Sequence, residues 1–267
     1  MGKSWPALDA FSDTSDLLLA AVDDFSPTAV EERGTGLRVF FATSAARDSA
    51  IDTLRHRFSV APVDVDDEAW ARRSQDNLPA ITVGCVTVVS SLQSPVTSPD
   101  TTAIVIPPSM GFGTGHHATT RLCLAALQTI DLRGKDVIDV GTGSGVLAIA
   151  ASALGAASAL GIDDDADAIA AAKENLEFNR VTNVTLEVRD LMNEPLPQAD
   201  VVVANLTGAL VVRAAPRLAR AVRPGGVLII SGVLASEGDD VRRAFANRTF
   251  LADVQEDEWL AFTIRSL

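Results

Sequence analysis

Cysteine is scarce in this sequence, and long apolar runs are absent. Cys85 and Cys123 lie far apart and lack the spacing of metal ligands, so the sequence supports neither a disulfide framework nor a zinc site. We expect both cysteines to pack as small apolar residues. No stretch approaches ~18 uninterrupted apolar residues, and the N-terminal MGKSWPALDA lacks the apolar core of a signal peptide. These absences predict a soluble, cytoplasmic protein without a membrane partner.

Basic residues are also few. Lys and Arg number 22 against 35 Asp and Glu, a formal net charge of −13. This balance argues against nucleic acid, or an anionic membrane, as the main partner. A basic or neutral partner fits the acidity, as does a role in solubility alone. The 267 residues, 47% of them hydrophobic, predict a globular protein of two domains.

Histidine is equally rare, and this limits metal binding. His116 and His117 are adjacent in a glycine-rich stretch, and the only other histidine is His56. Because no third ligand has a convincing spacing, we expect no metal site and assign these two histidines a hydrogen-bonding role in their loop.

Residues 1–65 predict a small α+β domain. Short segments suggest the order β-α-β-β-α-β of a ferredoxin-like fold, with Ser44 as N-cap of the second helix. The strand segments are SWPALDAF, TAVEER, LRVFFAT and SVAPVDV, and the helical segments are TSDLLLAAVDDF and SAARDSAIDTLRHRF. Residues 66–102 form a predicted linker, with a helix DDEAWARRSQDNL, a strand ITVGCVTVVS and a loop SSLQSPVTSPDTTA.

Residues 103–267 follow a different pattern. Apolar strand segments such as DVIDV, ALGID and VVVANL alternate with helical segments of ten or more residues. This alternation predicts an α/β domain with a doubly wound, mainly parallel sheet that is covered by helices on both faces. The tail TFLADVQEDEWLAFTI instead predicts two antiparallel strands at one edge of that sheet.

A glycine turn in this domain predicts a ligand site. In VIDVGTGSG, residues 137–145, an apolar strand ends in alternating glycines that include Gly141 and Gly143, and a helix follows. Backbone can therefore approach a ligand beside a helix N-terminus. Asp163 ends the next strand, where a carboxylate can bind ribose hydroxyls. A ligand-free turn, and a solvated carboxylate at a helix start, are the alternative interpretations.

The glycine spacing distinguishes between nucleotide ligands. A dinucleotide fingerprint requires a third glycine where Val146 stands. A phosphate-binding Walker loop requires a lysine after its glycines, and no lysine follows the Gly-Thr-Gly at residues 113–115 or the one at 141–143. The pattern from Asp139 to Gly145, together with Asp163, instead resembles class I S-adenosylmethionine-dependent methyltransferases, which have a seven-stranded sheet. In that class the turn holds the methionine and ribose of the cofactor, and the later acid binds the ribose.

Asn205 is the candidate nearest to the reaction. It ends the strand ADVVVANL, so it is expected in the same crevice as Gly141 and Asp163. The alternative is that it caps the following helix. Enzymes that methylate amides or adenine resemble one another in an Asn-Pro-Pro-aromatic run here, whereas this chain has Asn-Leu-Thr, which disfavours such substrates.

A further resemblance covers about residues 106–260. The run FGTGHHATTRL, followed by DVGTGSGVLAIAA, VANL and a late Glu-Trp pair, resembles the ribosomal protein L11 methyltransferase (PrmA) family. The resemblance implies that Thr120, Gly141, Asp163 and Asn205 contact S-adenosylmethionine, with Gly143 in the same turn. It also implies that Phe112, Gly113 and Thr114 close over the methyl-donor end.

The same resemblance implies an activity. In that family a ferredoxin-like N-terminal domain captures ribosomal protein L11 and presents its amino groups to the catalytic domain. We therefore expect a protein N-methyltransferase that acts on lysine or N-terminal amines, with Asn205 as the catalytic residue. The alternatives are a lysine in another protein, such as an electron-transfer flavoprotein subunit, a small amine, and a nonenzymatic cofactor-binding module.

Overall fold

The computed structural model describes residues 4–11, 25, 29–33, 36–66, 80–91, 101–107 and 117–266. The chain divides into two compact units, residues 1–77 and 78–267. Four predicted features lie wholly or largely outside the described residues. They are the helix TSDLLLAAVDDF, the linker helix DDEAWARRSQDNL, the loop SSLQSPVTSPDTTA and the glycine-rich stretch GFGTG, residues 111–115, with His116.

The N-terminal unit contains a four-stranded antiparallel sheet. Its strands β1 (Ser4–Phe11), β2 (Ala29–Arg33), β3 (Gly36–Phe40) and β4 (Ser59–Asp66) have the order β2-β3-β1-β4. Helix α1 (Ser44–Leu54) joins β3 to β4 and buries an apolar face against β1 and β3. The strand order is the one that a ferredoxin-like fold requires.

The cap of α1 differs from the prediction. Thr43, in extended conformation at φ −142°, is the N-cap, and its hydroxyl accepts from the amide of Ala46 at 3.2 Å. The predicted cap, Ser44, is wrong because it is already the first helical residue. A capping side chain must come from the non-helical residue before the helix, where it can reach the third helical amide.

The second unit begins with a small three-stranded sheet. It consists of β5 (Ile81–Val83), β6 (Val86–Val89) and β7 (Thr102–Val105) in that order. The prediction of one strand over ITVGCVTVVS is therefore wrong. Gly84 has a φ of +56° and turns the chain into a hairpin. Cys85 is exposed in this turn, contrary to expectation, whereas Cys123 is buried as expected.

The main sheet has seven strands in the order β10-β9-β8-β11-β12-β14-β13. The first five are parallel, and β14 runs antiparallel between β12 and β13. The strands are β8 (Asp136–Val140), β9 (Ser158–Asp163), β10 (Val184–Val188), β11 (Ala199–Asn205), β12 (Val222–Leu234), β13 (Thr249–Glu256) and β14 (Trp259–Arg265). The predicted antiparallel tail at one edge is confirmed.

Helices accompany these strands. They are α2 (Ala118–Leu127), α3 (Val146–Ala153), α4 (Ala166–Phe178), α5 (Gly208–Ala221) and α6 (Gly238–Ala244), with a short 3-10 turn at Ala235–Glu237. Strand β11 shows why both faces of the sheet are covered. Val201 and Val203 enter the core beneath α2 and α3, and Val202 and Ala204 enter the core beneath α5 and α6. The predicted doubly wound α/β class is confirmed.

The strand order indicates where the sheet has a crevice. From β8 the chain proceeds to β9 and β10 on one side, and it continues with β11 and β12 on the other. Such a reversal opens a crevice at the carboxyl ends of β8 and β11, where open α/β sheets bind ligands. Because β14 is antiparallel, its first residue, Trp259, lies opposite Leu234 at the same edge.

Candidate active site

The glycine turn joins β8 to α3 at this crevice. Gly141, Gly143 and Gly145 have φ values of +70°, +53° and +80°, a conformation that residues with a side chain rarely adopt. The amide of Gly141 donates to the carbonyl of Ile162 at 2.9 Å, which ties the turn to β9. Gly145 is the N-cap of α3, so the turn lies against the free amides of a helix N-terminus.

A buried carboxylate holds the turn from beneath. Asp139 is 1% exposed, and its Oδ2 accepts from Thr142 Oγ1 at 2.6 Å and from the Ala148 amide at 3.1 Å. Its Oδ1 has no hydrogen-bond partner within the described part of the chain. Burial, partly offset by these hydrogen bonds, raises the pKa of Asp139 to about 6.

Asp163 lies against the same turn. Its Oδ2 accepts from the amide of Gly143 at 2.9 Å, and its Oδ1 accepts from the amide of Asp165 at 3.1 Å. Asp165 caps α4, since its side chain accepts from the amide of Asp167. Asp163 is half-buried and hydrogen-bonded to the glycine turn, so it is more than a solvated carboxylate at the start of α4.

A cavity of about 410 Å³ opens beside the turn. It brings together four of the predicted residues: Thr120, Gly141, Gly143 and Asn205. Asp163 does not line this cavity and reaches it through Gly143. The other lining residues are His117, Thr119, Thr142, Val146, Leu147, Leu206, Thr207, Leu210, Gly232 and Trp259. Phe112, Gly113 and Thr114 lie outside the described residues.

Asn205 is half-buried at the end of β11. It does not cap α5, because Thr207 occupies the N-cap position. The backbone that follows Asn205 is tightly enclosed. A Cβ on Gly141 would lie 2.5 Å from Leu206 Cδ2, and one on Gly232 would lie 2.3 Å from the Leu206 carbonyl oxygen. Two glycines with positive φ therefore position the chain beside Asn205.

Gly232 and Trp259 are site residues that sequence reasoning missed. A signal existed for Gly232, because a glycine inside an apolar strand often marks a bulge or a close backbone approach. Gly232 indeed lies where the β12–β14 register shifts, between Ile230 and Val233. Trp259 belongs to the late Glu-Trp pair of the family resemblance, but its position at the crevice did not follow from that pair, since only the strand order brings the start of β14 there.

Aromatic and ionic contacts join α2 to the β13–β14 hairpin. His117 is the N-cap of α2, in line with its expected hydrogen-bonding role, and its ring meets that of Trp259 edge-on with centroids 4.9 Å apart. One turn further, the Arg121 guanidinium pairs with the Glu256 carboxylate, with Nε at 2.7 Å from Oε1. The start of α2, which contributes Thr119 and Thr120 to the cavity, is thus attached to the hairpin.

The polar groups of the site fit a nucleoside without phosphate groups better than they fit a nucleotide. Asp139 and Asp163 are both acidic, and no Lys or Arg is among the described residues that line the cavity. A pyrophosphate would find no cation among these lining residues, and the two carboxylates behind the glycine turn would repel it. Ribose hydroxyls can instead donate to Asp163 at the edge of the turn, and the same negative charges attract a sulfonium. The residues present therefore fit S-adenosylmethionine.

Within the described residues, no three His, Cys, Asp or Glu side chains are grouped so that they could hold a metal ion. None of the described helices is long and apolar enough to cross a membrane.

Known proteins resemble this chain over most of its length. The family model for ribosomal protein L11 methyltransferase (PrmA) matches residues 27–266. A ribosomal protein L11 methyltransferase of Deinococcus radiodurans is 39% identical over 253 residues, which cover 91% of this chain and 89% of that protein. One from Edwardsiella ictaluri is 40% identical over 201 residues, covering 74% and 68% of the two chains.

A solved structure supports the same relationship. The crystal structure of a ribosomal protein L11 methylase from Lactobacillus delbrueckii subsp. bulgaricus superposes with a TM-score of 0.64 at 27% identity, covering 71% of this chain and 99% of that one. The seven-stranded sheet, the glycine turn at its crevice and these matches agree. The chain belongs to the ribosomal protein L11 methyltransferase (PrmA) family.

Proposed function

We propose that this protein transfers methyl groups from S-adenosylmethionine to lysine or N-terminal amino groups of ribosomal protein L11. The observation that carries the proposal is the convergence of the glycine turn, Asp163 and Asn205 at one crevice, in a chain of this family. A ribosomal substrate would place the reaction in the cytoplasm.

Different residues of the crevice would bind different parts of the cofactor. Asp163 would accept hydrogen bonds from the ribose, and the backbone of Gly141 to Gly143 would approach the methionine portion. Thr120 and Asn205 line the same cavity and would contact the methionine portion as well. When bound, the cofactor supplies an electrophilic methyl group on a sulfonium. Phe112, Gly113 and Thr114 remain predicted contacts.

The acceptor must reach this methyl group as a neutral amine. A free lysine has a pKa of about 10.4, so only about one in a thousand is neutral near pH 7. Apolar side chains in the cavity, such as Leu206 and Leu210, desolvate an incoming amine and lower its pKa. The side-chain oxygen of Asn205 would accept a hydrogen bond from the amine and aim its lone pair at the methyl carbon.

The N-terminal unit is the part of the chain that we expect to bind the protein substrate. We assign substrate recognition to residues 1–65, with residues 66–102 as a linker and residues 103–267 as the methyltransferase domain. The N-terminal sheet has an apolar core of its own, which Leu8, Val39 and Leu54 help to form. A unit with a separate core is suited to binding the substrate protein.

Labelling tests the substrate. Purified protein, incubated with isotope-labelled S-adenosylmethionine and a bacterial lysate, should label a band that mass spectrometry identifies as ribosomal protein L11. A different labelled protein would favour another lysine substrate, and label confined to small molecules would favour a small amine. Absence of any label, with cofactor binding intact, would show a nonenzymatic binding module.

Substitution of Asn205 tests the mechanism. We expect Asn205→Ala to lower the turnover number about 10-fold or more, because the amine loses a positioning hydrogen bond. Asn247→Ala, in an exposed turn, is the matched control and should behave as wild type. If Asn205→Ala kept both cofactor affinity and turnover, Asn205 would have no place in the site.

A further inference from the structure

The strand order separates two sides of the crevice. Asp163 ends β9 and Gly141 follows β8, and both are on one side of β11. The cavity continues past Asn205 on β11 to Gly232 of β12 and Trp259 of β14. Because neighbouring strands are about 4.8 Å apart, the ends of β9 and β14 are separated by four spacings, roughly 19 Å. The β12–β14 side is therefore remote from the ribose-binding position.

This remote side is mainly apolar. Beyond Asn205 the lining consists of Leu206, Thr207, Leu210, Gly232, Trp259 and His117. Trp259 and Leu206 are both half-buried, so each retains surface that faces the cavity or solvent. A carboxylate that would hold an ammonium group is not among the described lining residues. The surface therefore suits an alkyl chain better than a charged head group.

Several contacts hold Trp259 in place. It pairs with Leu234 as the first residue of β14, and the carbonyl of the preceding Glu258 accepts from the amide of Ala235 at 2.8 Å. The ring of His117 packs edge-on against the indole. The ion pair of Arg121 with Glu256 attaches the same hairpin to α2. The indole is thus a positioned wall of the cavity.

We propose that Trp259 forms the acceptor subsite and determines specificity by packing against the aliphatic stem of a lysine whose amine points toward Asn205. The inference rests on the proposed function and adds the residue that distinguishes a lysine amine, which has an unbranched alkyl stem, from an amine without such a stem. Lysine stems pack along apolar surfaces while the nitrogen extends beyond them. The methylene stem would give the indole its contact area, which an amine without a stem lacks.

The first test measures binding of two amines, n-butylamine and methylamine, to the protein loaded with S-adenosylhomocysteine, by NMR titration. Wild type should prefer n-butylamine by about 10-fold or more, because only this amine carries the stem. Trp259→Ala should reduce the preference to about 2-fold, and Trp259→Phe, which keeps an apolar ring, should retain most of it. Val254→Ala, at a half-exposed position of the same hairpin outside the cavity lining, should match wild type.

The second test uses the reaction. Trp259→Ala should lower kcat/KM for lysines of ribosomal protein L11 about 10-fold while S-adenosylhomocysteine affinity, measured by calorimetry, stays within about 2-fold. A variant that kept the n-butylamine preference, or that lost cofactor affinity to the same degree, would overturn the subsite. If wild type labels no amine of ribosomal protein L11 yet prefers n-butylamine through Trp259, the proposed substrate fails and the subsite stands.

Discussion

The two sides of the crevice are built in different ways. On the β8–β9 side, polar contacts between residues close in sequence hold the glycine turn, with Asp139 and Asp163 both accepting from its amides or hydroxyls. On the β11–β14 side, apolar packing and close backbone approach position Leu206 and Trp259. The difference shows that the glycine turn and its acid are held by contacts within one β-α-β segment, whereas the β11–β14 side depends on strands that are distant in sequence.

The largest loss of stability is expected on the β11–β14 side, where the backbone is most crowded. Gly232→Ala should lower the free energy of unfolding by roughly 4 kcal/mol, because its Cβ would strike the Leu206 carbonyl and its φ of +81° strains a side chain. Gly225 has a φ of +76° with nothing within 4 Å, so Gly225→Ala is the matched control, at about 1–2 kcal/mol. Urea unfolding of both variants measures the difference. Equal losses would show that crowding at Leu206 contributes nothing.

The second prediction concerns Asp139, the buried carboxylate on the β8–β9 side. Burial raises the pKa of Asp139 from 3.8 to about 6, so the native state binds the proton more tightly than the unfolded state does. The group therefore contributes stability that is fully present below pH 3.8 and is lost as the pH rises through about 6. The difference between a pKa of 3.8 and one of about 6 corresponds to about 3 kcal/mol.

Asp139→Asn removes this titration and isolates its effect. The unfolding free energy of the variant minus that of wild type should rise by about 3 kcal/mol between pH 3.5 and 7, since the other carboxylates cancel in the difference. Urea unfolding at several pH values provides the measurement. A difference that is independent of pH would contradict a raised pKa at Asp139.

The smallest of the three effects concerns cofactor affinity. Asp163→Ala should weaken S-adenosylmethionine binding about 10- to 100-fold, because hydrogen bonds to a charged group are worth about 1.5–3 kcal/mol. Asp164→Ala, at an exposed neighbouring position, controls for the loss of one negative charge and should change the affinity less than about 3-fold. Calorimetry compares the two. Similar losses in both variants would indicate a general charge effect and remove Asp163 from the ribose site.

Much of the fold could be predicted because its signals are local. The apolar segments of β8, β9 and β11 and the helices between them follow from periodicity, and the parallel arrangement follows from their alternation. The predictions that failed concern single residues. Thr43 rather than Ser44 caps α1, and Gly84 turns ITVGCVTVVS into a hairpin. The pattern of apolar residues changes little when a helix starts one residue earlier or when one residue has a positive φ, so it predicts neither feature.

The candidate site divides in the same manner. Gly141, Gly143, Asp163 and Asn205 stand at strand ends, so a rule about parallel sheets suffices to place them near one another. Their roles toward the cofactor, and those of Thr120, Phe112, Gly113 and Thr114, remain predictions. Trp259 and Gly232 required the structure, because an antiparallel strand inserted between β12 and β13 determines which residue meets the crevice.

The amino-acid sequence by itself determined the alternation of strands and helices, the glycine turn and the acid one strand later, because each depends on the residues nearest to it. Only the tertiary structure decided that Leu206 is enclosed by Gly141 and Gly232, and that His117 meets Trp259 across 142 positions of the chain. Such contacts depend on strand order and register, which arise from packing the whole sheet.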